Sequence, residues 1–239
     1  MAGMIVWHEF FTTEVDRAIA FYTELLDAEI ETASMDNFEY QMLKKDGRTH
    51  AGFVKDQQGV APSHWYPYIH ADDVDASVEK ATSAGAQLIH GPQDIGDMLR
   101  FAVLGDPQHT TFGLMTSDGS GPQGLFAWDE LHAADPGAEA SFYGTVAGWT
   151  TEGFGEGYEV FKSGDSMAGG LMGKQSESDP TLWIPYLIVG DTDAATAKAQ
   201  ELGATVMLEP TTQDVGRFSV LADPVGAVVG LHKSANPQA

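Results

Sequence analysis

The sequence predicts an α+β fold written twice: two tandem domains, each holding two strand–helix–strand–strand–strand modules. The first observation behind this is an internal repeat. Trp7-His8-Glu9 and Phe21-Tyr22 return as Trp128-Asp129-Glu130 and Phe142-Tyr143, at an offset of 121 (128 − 7, 142 − 21). Trp65-x-Pro67-Tyr68 and Gly85-Ala86 return as Trp183-x-Pro185-Tyr186 and Gly203-Ala204 at 118 (183 − 65, 203 − 85), and Asp106-Pro107 as Asp223-Pro224 at 117 (223 − 106). Matches in one order, drifting by a few residues, mark a duplication. The period is too long for a solenoid unit, so each copy is expected to be a domain with its own core. At 239 residues and 43% apolar, the chain has material for two such cores. The second observation is the pattern of apolar spacing, which switches between strand and helix periods four times along the chain.

Val6–Phe11 is apolar and aromatic and predicts the first strand. Val15, Ala18, Ile19, Tyr22, Leu25 and Leu26 recur at three- and four-residue spacing, which predicts a helix with one buried face. It begins at Thr13 or Glu14. In copy two Asp135-Pro136 marks the start more plainly, an N-cap followed by proline in the first turn. Strands are expected at Glu29–Ala33, Glu39–Leu43 and Thr49–Val54, separated by turn residues such as Asp46-Gly47. The order then restarts: a strand at Trp65–His70, a helix opened by Asp73-x-Asp75 and ended by Gly85, and strands at Gln87–His90, Leu99–Leu104 and Thr111–Met115. Copy two repeats this with Trp183–Val189, a helix over Asp193–Leu202 stopped by Gly203, and strands at Thr205–Leu208, Phe218–Leu221 and Ala227–Leu231. Residues 116–124 are turn formers without apolar periodicity. The first domain is therefore placed at 1–117, a linker at 118–124 and the second domain at 125–235.

The charge is lopsided, with 35 acidic residues against 12 basic and a formal net of −23. A surface of this sign repels phosphate backbones and anionic lipids, so neither nucleic acid nor membrane is an expected partner. No apolar run approaches the roughly 18 residues needed to span a bilayer, and the N-terminus lacks the basic region of a secretory signal, so a cytoplasmic location is expected. The absence of cysteine removes disulfides, thiolate metal sites and cysteine nucleophiles. Nucleotide-binding glycine loops and a Gly-x-Ser-x-Gly nucleophile elbow are also missing.

Four modules of this kind, with Trp-x-Glu on a first strand, Phe21-Tyr22, Tyr68-Ile-x-x-Asp-Asp-Val-Asp75, Gly85-Ala86, and Gly216-Arg217-Phe218 before Asp223-Pro224-x-Gly226, resemble the vicinal oxygen chelate superfamily. That group includes glyoxalases, extradiol dioxygenases and bleomycin-resistance proteins, and the chain most resembles its tandem glyoxalase-like bacterial members. The resemblance implies that two βαβββ modules pair into an eight-stranded open cup with the binding or reaction site inside. In catalytic members, side chains from the first and last strands of each module hold a divalent metal.

Carried onto this chain, those ligand positions fall on Trp7, near Ala51-Gly52, on Tyr66 and on Gly113 in copy one. In copy two they fall on Trp128, Gly169-Gly170, Ile184 and Gly230. None is a good ligand for zinc, nickel or iron, which take imidazole and carboxylate. No metal and no cofactor are therefore expected. Glu9 shares the face of Trp7 and recurs as Glu130; a carboxylate pointing into each cup serves as a base, ligand or polar anchor, or else as a structural acceptor. His70 shares a face with Tyr66 and Tyr68, and with Glu9 makes the candidate acid–base pair; copy two has Ile188 there. Expected to line the cups are Trp7, Tyr66, Tyr68, Trp128, Glu130 and Tyr186, with Arg100 and Arg217 at the mouths as anion binders or structural ion pairs. Trp65 and Trp183 read as core. His8, on the opposite face from Trp7, reads as a partly exposed surface or domain-contact residue, and His50, His90, His109, His132 and His232 as surface or loop residues.

Three functions are compatible with this pattern. One is a metal-free cup that binds a small, apolar or aromatic molecule, like the resistance proteins. Another is a lyase, isomerase or dioxygenase using Glu9 and His70, with a divalent metal at a displaced site. The third is a scaffold whose acidic surface meets a protein partner. Two cups closed within one chain fit a monomer, and a homodimer is the other expected state.

Overall fold

The computed structural model describes residues 3–35, 38–97, 99–117 and 124–235. Most of the expected linker, 118–123, lies outside the described residues. The chain forms β1 (Ile5–Thr12), α1 (Val15–Leu26), β2 (Glu29–Met35), β3 (Phe38–Lys45), β4 (Arg48–Lys55), β5 (His64–His70), α2 (Val74–Ser83), β6 (Gln87–Ile95), β7 (Leu99–Gly105) and β8 (Thr111–Met115). Copy two gives β9 (Phe126–Ala133), α3 (Pro136–Ala147), β10 (Thr150–Gly153), β11 (Tyr158–Ser163), β12 (Ser166–Gly173), β13 (Leu182–Ile188), α4 (Thr192–Glu201), β14 (Thr205–Gln213), β15 (Gly216–Ala222) and β16 (Val228–Ser234). Each copy's strands make one eight-stranded mixed sheet, in the orders β2-β3-β4-β1-β5-β8-β7-β6 and β10-β11-β12-β9-β13-β16-β15-β14. This is the order of two paired βαβββ modules, each with a parallel first–last strand pair, as in β1–β4 and β12–β9.

Local chemistry sets the helix ends. Asp73, Asp135 and Asp191 each accept the backbone N–H three residues on, from Ala76, Ala138 and Ala194, which satisfies a donor the first turn leaves open. Gly85 and Gly203 follow α2 and α4 with φ of 103° and 98°, conformations that only glycine takes without strain. β6 and β14 run past their expected ends at His90 and Leu208. Their ladders shift register at Leu88/His90/Gln93 and at Val206/Leu208/Thr211, so Pro92 and Pro210 are absorbed by bulges on edge strands.

The cores do not follow the copies as expected. The chain divides into two compact units, one of residues 1–7, 66–121 and 128–184, the other of residues 8–65, 122–127 and 185–239. In the first, Ile69, Val74, Leu104, Phe112 and Leu114 of copy one pack with Phe142, Tyr143, Trp149, Phe161 and Trp183 of copy two. In the second, Phe10, Tyr22, Leu43, Phe53 and Trp65 of copy one pack with Leu187, Leu221, Val229 and Leu231 of copy two. Each core therefore joins one module of each copy. The reason is that a βαβββ module has a helix-covered face that must be buried, and here the first module of each copy is covered by the second module of the other.

The residues that announced the repeat lock these cores. Trp65 Nε1 donates to the Tyr22 hydroxyl (2.8 Å), which donates to Asp223 Oδ2 (2.8 Å). Trp183 Nε1 donates to Tyr143 (3.2 Å), which donates to Asp106 Oδ2 (3.1 Å). The other oxygen of each aspartate folds its own turn, Asp106 Oδ1 accepting from Gln108 and Thr110, Asp223 Oδ1 from Val225 and Ala227. Burial and the neighbouring aspartate push both phenols well above their ordinary pKa, so they remain donors. The Phe-Tyr of one copy is thus tied to the Asp-Pro of the other.

Candidate functional site

On β1 the side chains of Trp7 and Glu9 share a face, and Glu9 pairs across the ladder with Gly52 of β4. Tyr40 of β3 reaches over that glycine and donates its hydroxyl to Glu9 Oε1 at 2.7 Å. A Cβ on Gly52 would stand 1.8 Å from the Tyr40 oxygen and 2.5 Å from Glu9 Oε1. Glycine is therefore what lets the Tyr–Glu pair lie flat on the sheet. Of the neighbouring residues Ala51 and Gly52, it is Gly52 that faces the site, while Ala51 is buried in the core.

Copy two repeats the arrangement with more polar contacts. Glu130 of β9 pairs with Gly170 of β12, and a Cβ there would lie 2.0 Å from the Tyr158 oxygen. Trp128 Nε1 donates to Tyr158 Oη at 2.8 Å, and Tyr158 in turn hydrogen-bonds Glu130. Burial and the Glu130 carboxylate raise the Tyr158 phenol far above its usual range. His132, two residues along the same strand face, places Nε2 2.7 Å from Glu130 Oε1.

The second module of each copy supplies another tyrosine over glycine. Tyr68 pairs with Gly113, and a Cβ there would fall 2.1 Å from the Tyr68 ring. Tyr186 pairs with Gly230, with 2.2 Å for the same approach. Tyr66 packs on Tyr68, ring centroids 5.5 Å apart. All four modules thus bring a tyrosine over a glycine.

His70, at the end of β5, is held at both ring nitrogens. Asp72 Oδ1 lies 3.1 Å from Nε2 and Ser117 Oγ 3.1 Å from Nδ1. A carboxylate only accepts, so Nε2 carries the proton and Nδ1 accepts from Ser117. Arg100 makes a two-pronged pair with Asp75 (Nε–Oδ2 2.7 Å, Nη2–Oδ1 2.9 Å) and a third bond to Asp94. Arg217 does the same with Asp193 (2.5 and 2.6 Å) and donates to Thr212. These bonds hold Asp75 and Asp193 below the ordinary carboxylate range, and both guanidiniums brace the starts of α2 and α4. Trp65 and Trp183 are buried in the cores. His8 departs from its expected exposure: it is buried, its ring stacked on Phe126 with centroids 3.7 Å apart. His50 is likewise buried, and His132 belongs to the Glu130 site rather than to a loop.

Sequence reasoning missed Tyr40, Tyr158 and His132. The two tyrosines stand at the repeat offset of 118 (158 − 40), a signal hidden because their flanking residues differ. His132 has Phe11 as its counterpart at 121 (132 − 11), so no repeat points to it.

Trp7, Gly52, Tyr66 and Gly113, with Trp128, Gly170, Ile184 and Gly230, offer neither imidazole nor carboxylate, and tyrosine fills the space at each glycine. This donor set does not fit a divalent metal. Among the described residues no group of three or more His, Asp or Glu side chains gathers as a metal ion requires, and no helix is long and apolar enough to cross a membrane.

A profile of the glyoxalase-like domain matches residues 5–115 and again 127–231. The chain is 33% identical over 248 residues to "Putative glyoxylase CFP32" of Mycobacterium tuberculosis, covering 97% of this chain and 95% of that one. It is 29% identical over 252 residues to "Anthracycline biosynthesis protein DnrV" of Streptomyces peucetius, covering 94% and 91%. Among solved structures, the Mn(II)-bound glyoxalase from Novosphingobium aromaticivorans superposes with a TM-score of 0.67 at 14% identity, covering 100% of this chain and 85% of that one. The 2,2',3-trihydroxybiphenyl 1,2-dioxygenase from Sphingomonas wittichii strain RW1 gives 0.68 at 15%, covering 97% and 90%. At these identities the two structures report a shared fold.

Proposed function

The chain belongs to the glyoxalase-like domain family, and from that premise we propose that it binds a small, largely apolar or aromatic molecule in the cup of that fold, without the divalent metal of the family's catalytic members. The observation that carries this is the tyrosine laid over glycine at Gly52, Gly113, Gly170 and Gly230. Where a metal ligand would project, the sheet offers a flat ring and a hydroxyl. Such a surface recognises a planar ligand through ring contacts, with Glu9 and Glu130 as the few polar groups that fix orientation. The name of DnrV, an anthracycline biosynthesis protein, supports a small aromatic occupant.

A ligand that binds the native state raises its melting temperature. In a thermal-shift screen of small aromatic compounds and divalent metals, aromatic compounds are expected to raise Tm and metals to leave it unchanged. A first-row metal present at one equivalent and lost in Glu9→Gln would overturn the reading. It would favour instead a lyase or dioxygenase using Glu9 and His70 at a displaced metal site.

A further inference from the structure

The two copies share the tyrosine, glutamate and glycine of their first modules but differ beside them on the same face, where Phe11 and its ladder partner Val54 in copy one become His132 and Met172 in copy two. His132 is bonded through Nε2 to Glu130 Oε1 at 2.7 Å, with side-chain exposures of 19% and 11%. The pair is therefore largely shielded while keeping some accessible surface. Since a carboxylate accepts only, Nε2 carries the proton and the neutral ring keeps its lone pair on Nδ1. This is the arrangement in which an acid orients an imidazole and stabilises the imidazolium it becomes. His70 differs, because its Nδ1 lone pair is met by Ser117.

The surroundings fit that role. Facing Glu130 and His132 across the ladder, β12 contributes Gly170 and Met172, neither of them charged. β11 contributes Tyr158, held as a donor to Glu130 by burial and by that carboxylate. Trp128 and Tyr158 supply the aromatic wall.

We propose that Glu130 and His132 form a proton-accepting pair in the second copy, which ionises the hydroxyl of a bound aromatic alcohol, while the first copy binds without proton transfer. The ligand O–H bond breaks, its electron pair stays on the ligand oxygen, and the proton goes to His132 Nδ1. Glu130 holds the resulting imidazolium through Nε2–H, so total charge is unchanged. The inference rests on the cup being a small-molecule site.

4-Nitrophenol separates the two ideas, because its colour reports ionisation and its quenching of tryptophan fluorescence reports binding. Wild type is expected to bind the probe and lower its apparent pKa by about one pH unit, a tenfold change in the ionisation ratio. His132→Phe, which copies the residue found at position 11, is expected to bind the probe while leaving its pKa as in water. Glu130→Gln is expected to abolish the pKa shift of whatever probe it still binds. Bound probe that stays un-ionised in wild type, or an unchanged shift in His132→Phe, overturns the proton-accepting pair and leaves the binding site standing. Loss of all binding in His132→Phe also overturns it, by making the histidine an anchor. No binding by wild type at any pH removes the binding site and the inference together.

Discussion

Glu139 is the residue whose replacement should change stability most simply. It lies in α3, fully buried beside Asp106 and Gln108, and neither of its carboxyl oxygens meets good hydrogen-bond geometry. Its counterpart in the first copy is Ala18 (139 − 121), also fully buried. Burial first, and the Asp106 carboxylate second, push its pKa from 4.5 up to about 8. An acid with a raised folded-state pKa favours folding only while it is protonated in both states. Between 4.5 and about 8 the unfolded chain ionises it and the folded chain does not. Stability is therefore lost as pH rises, at about 1.4 kcal/mol per pH unit, or about 3 kcal/mol between roughly pH 5 and 7.5. Glu139→Gln keeps the shape and removes the titration. Urea unfolding of both proteins across that window should show the variant gaining on wild type by this amount. The exposed carboxylates titrate alike in both proteins, while Asp106 lies against Glu139 and responds to its replacement, so the difference reads that buried pair. Parallel curves from pH 5 to 7.5 would show that Glu139 ionises inside the fold as freely as outside it, and would refute the reasoning.

Gly113→Ala forces a Cβ to within 2.1 Å of the buried Tyr68 ring and should lower stability by about 1–3 kcal/mol. Gly153→Ala, with nothing within 4 Å, should be near neutral in the same urea titration. Tyr22→Phe strands the buried Trp65 N–H and removes a bond from Asp223, at about 2–3 kcal/mol; Tyr143→Phe, whose two bonds are longer at 3.1 and 3.2 Å, should lose less when both are unfolded by heat. Residues 1–117 expressed alone lack half of each core and should elute as a dimer or aggregate, because a second copy of the fragment can cover the exposed faces. A cooperative, folded monomer in sedimentation and near-UV circular dichroism would contradict the shared cores.

The order of elements was legible because the βαβββ modules signal themselves locally by apolar spacing, and α2, α3 and α4 add an aspartate cap and a glycine at or just past their ends, which α1 lacks. Strand ends were less so where Pro92 and Pro210 sit. A proline reads as a breaker, and only the bulged ladder shows that β6 and β14 continue. That Glu9 and Glu130 share a face with Trp7 and Trp128 followed from strand alternation. That Tyr40 and Tyr158 meet those carboxylates depends on ladder register between distant strands, which a single sequence does not carry. The partnership of each core was hidden for a similar reason. Apolar spacing says that a helix face is buried, yet Tyr22 finds Asp223 rather than its own copy's Asp106, and nothing local distinguishes the two aspartates.

The duplication has placed two demands on different residues. A βαβββ module must bury its helix-covered face, and Trp65–Tyr22–Asp223 and Trp183–Tyr143–Asp106 meet that need by tying each module to one from the other copy. These residues recur because both cores need them. The tyrosine-over-glycine pairs recur on the other face, where they set a flat floor rather than hold the cores together. Once both copies have that floor, a single inner-face substitution changes what one copy can do without touching either core. Phe11 against His132 and His70 against Ile188 are differences of this kind. Ala18 against Glu139 is the opposite kind, a change within a core that makes one unit sensitive to pH and leaves the other without that group. If the proposed cup binds its ligand, divergence between the copies separates ligand chemistry from stability by the sheet face on which it falls.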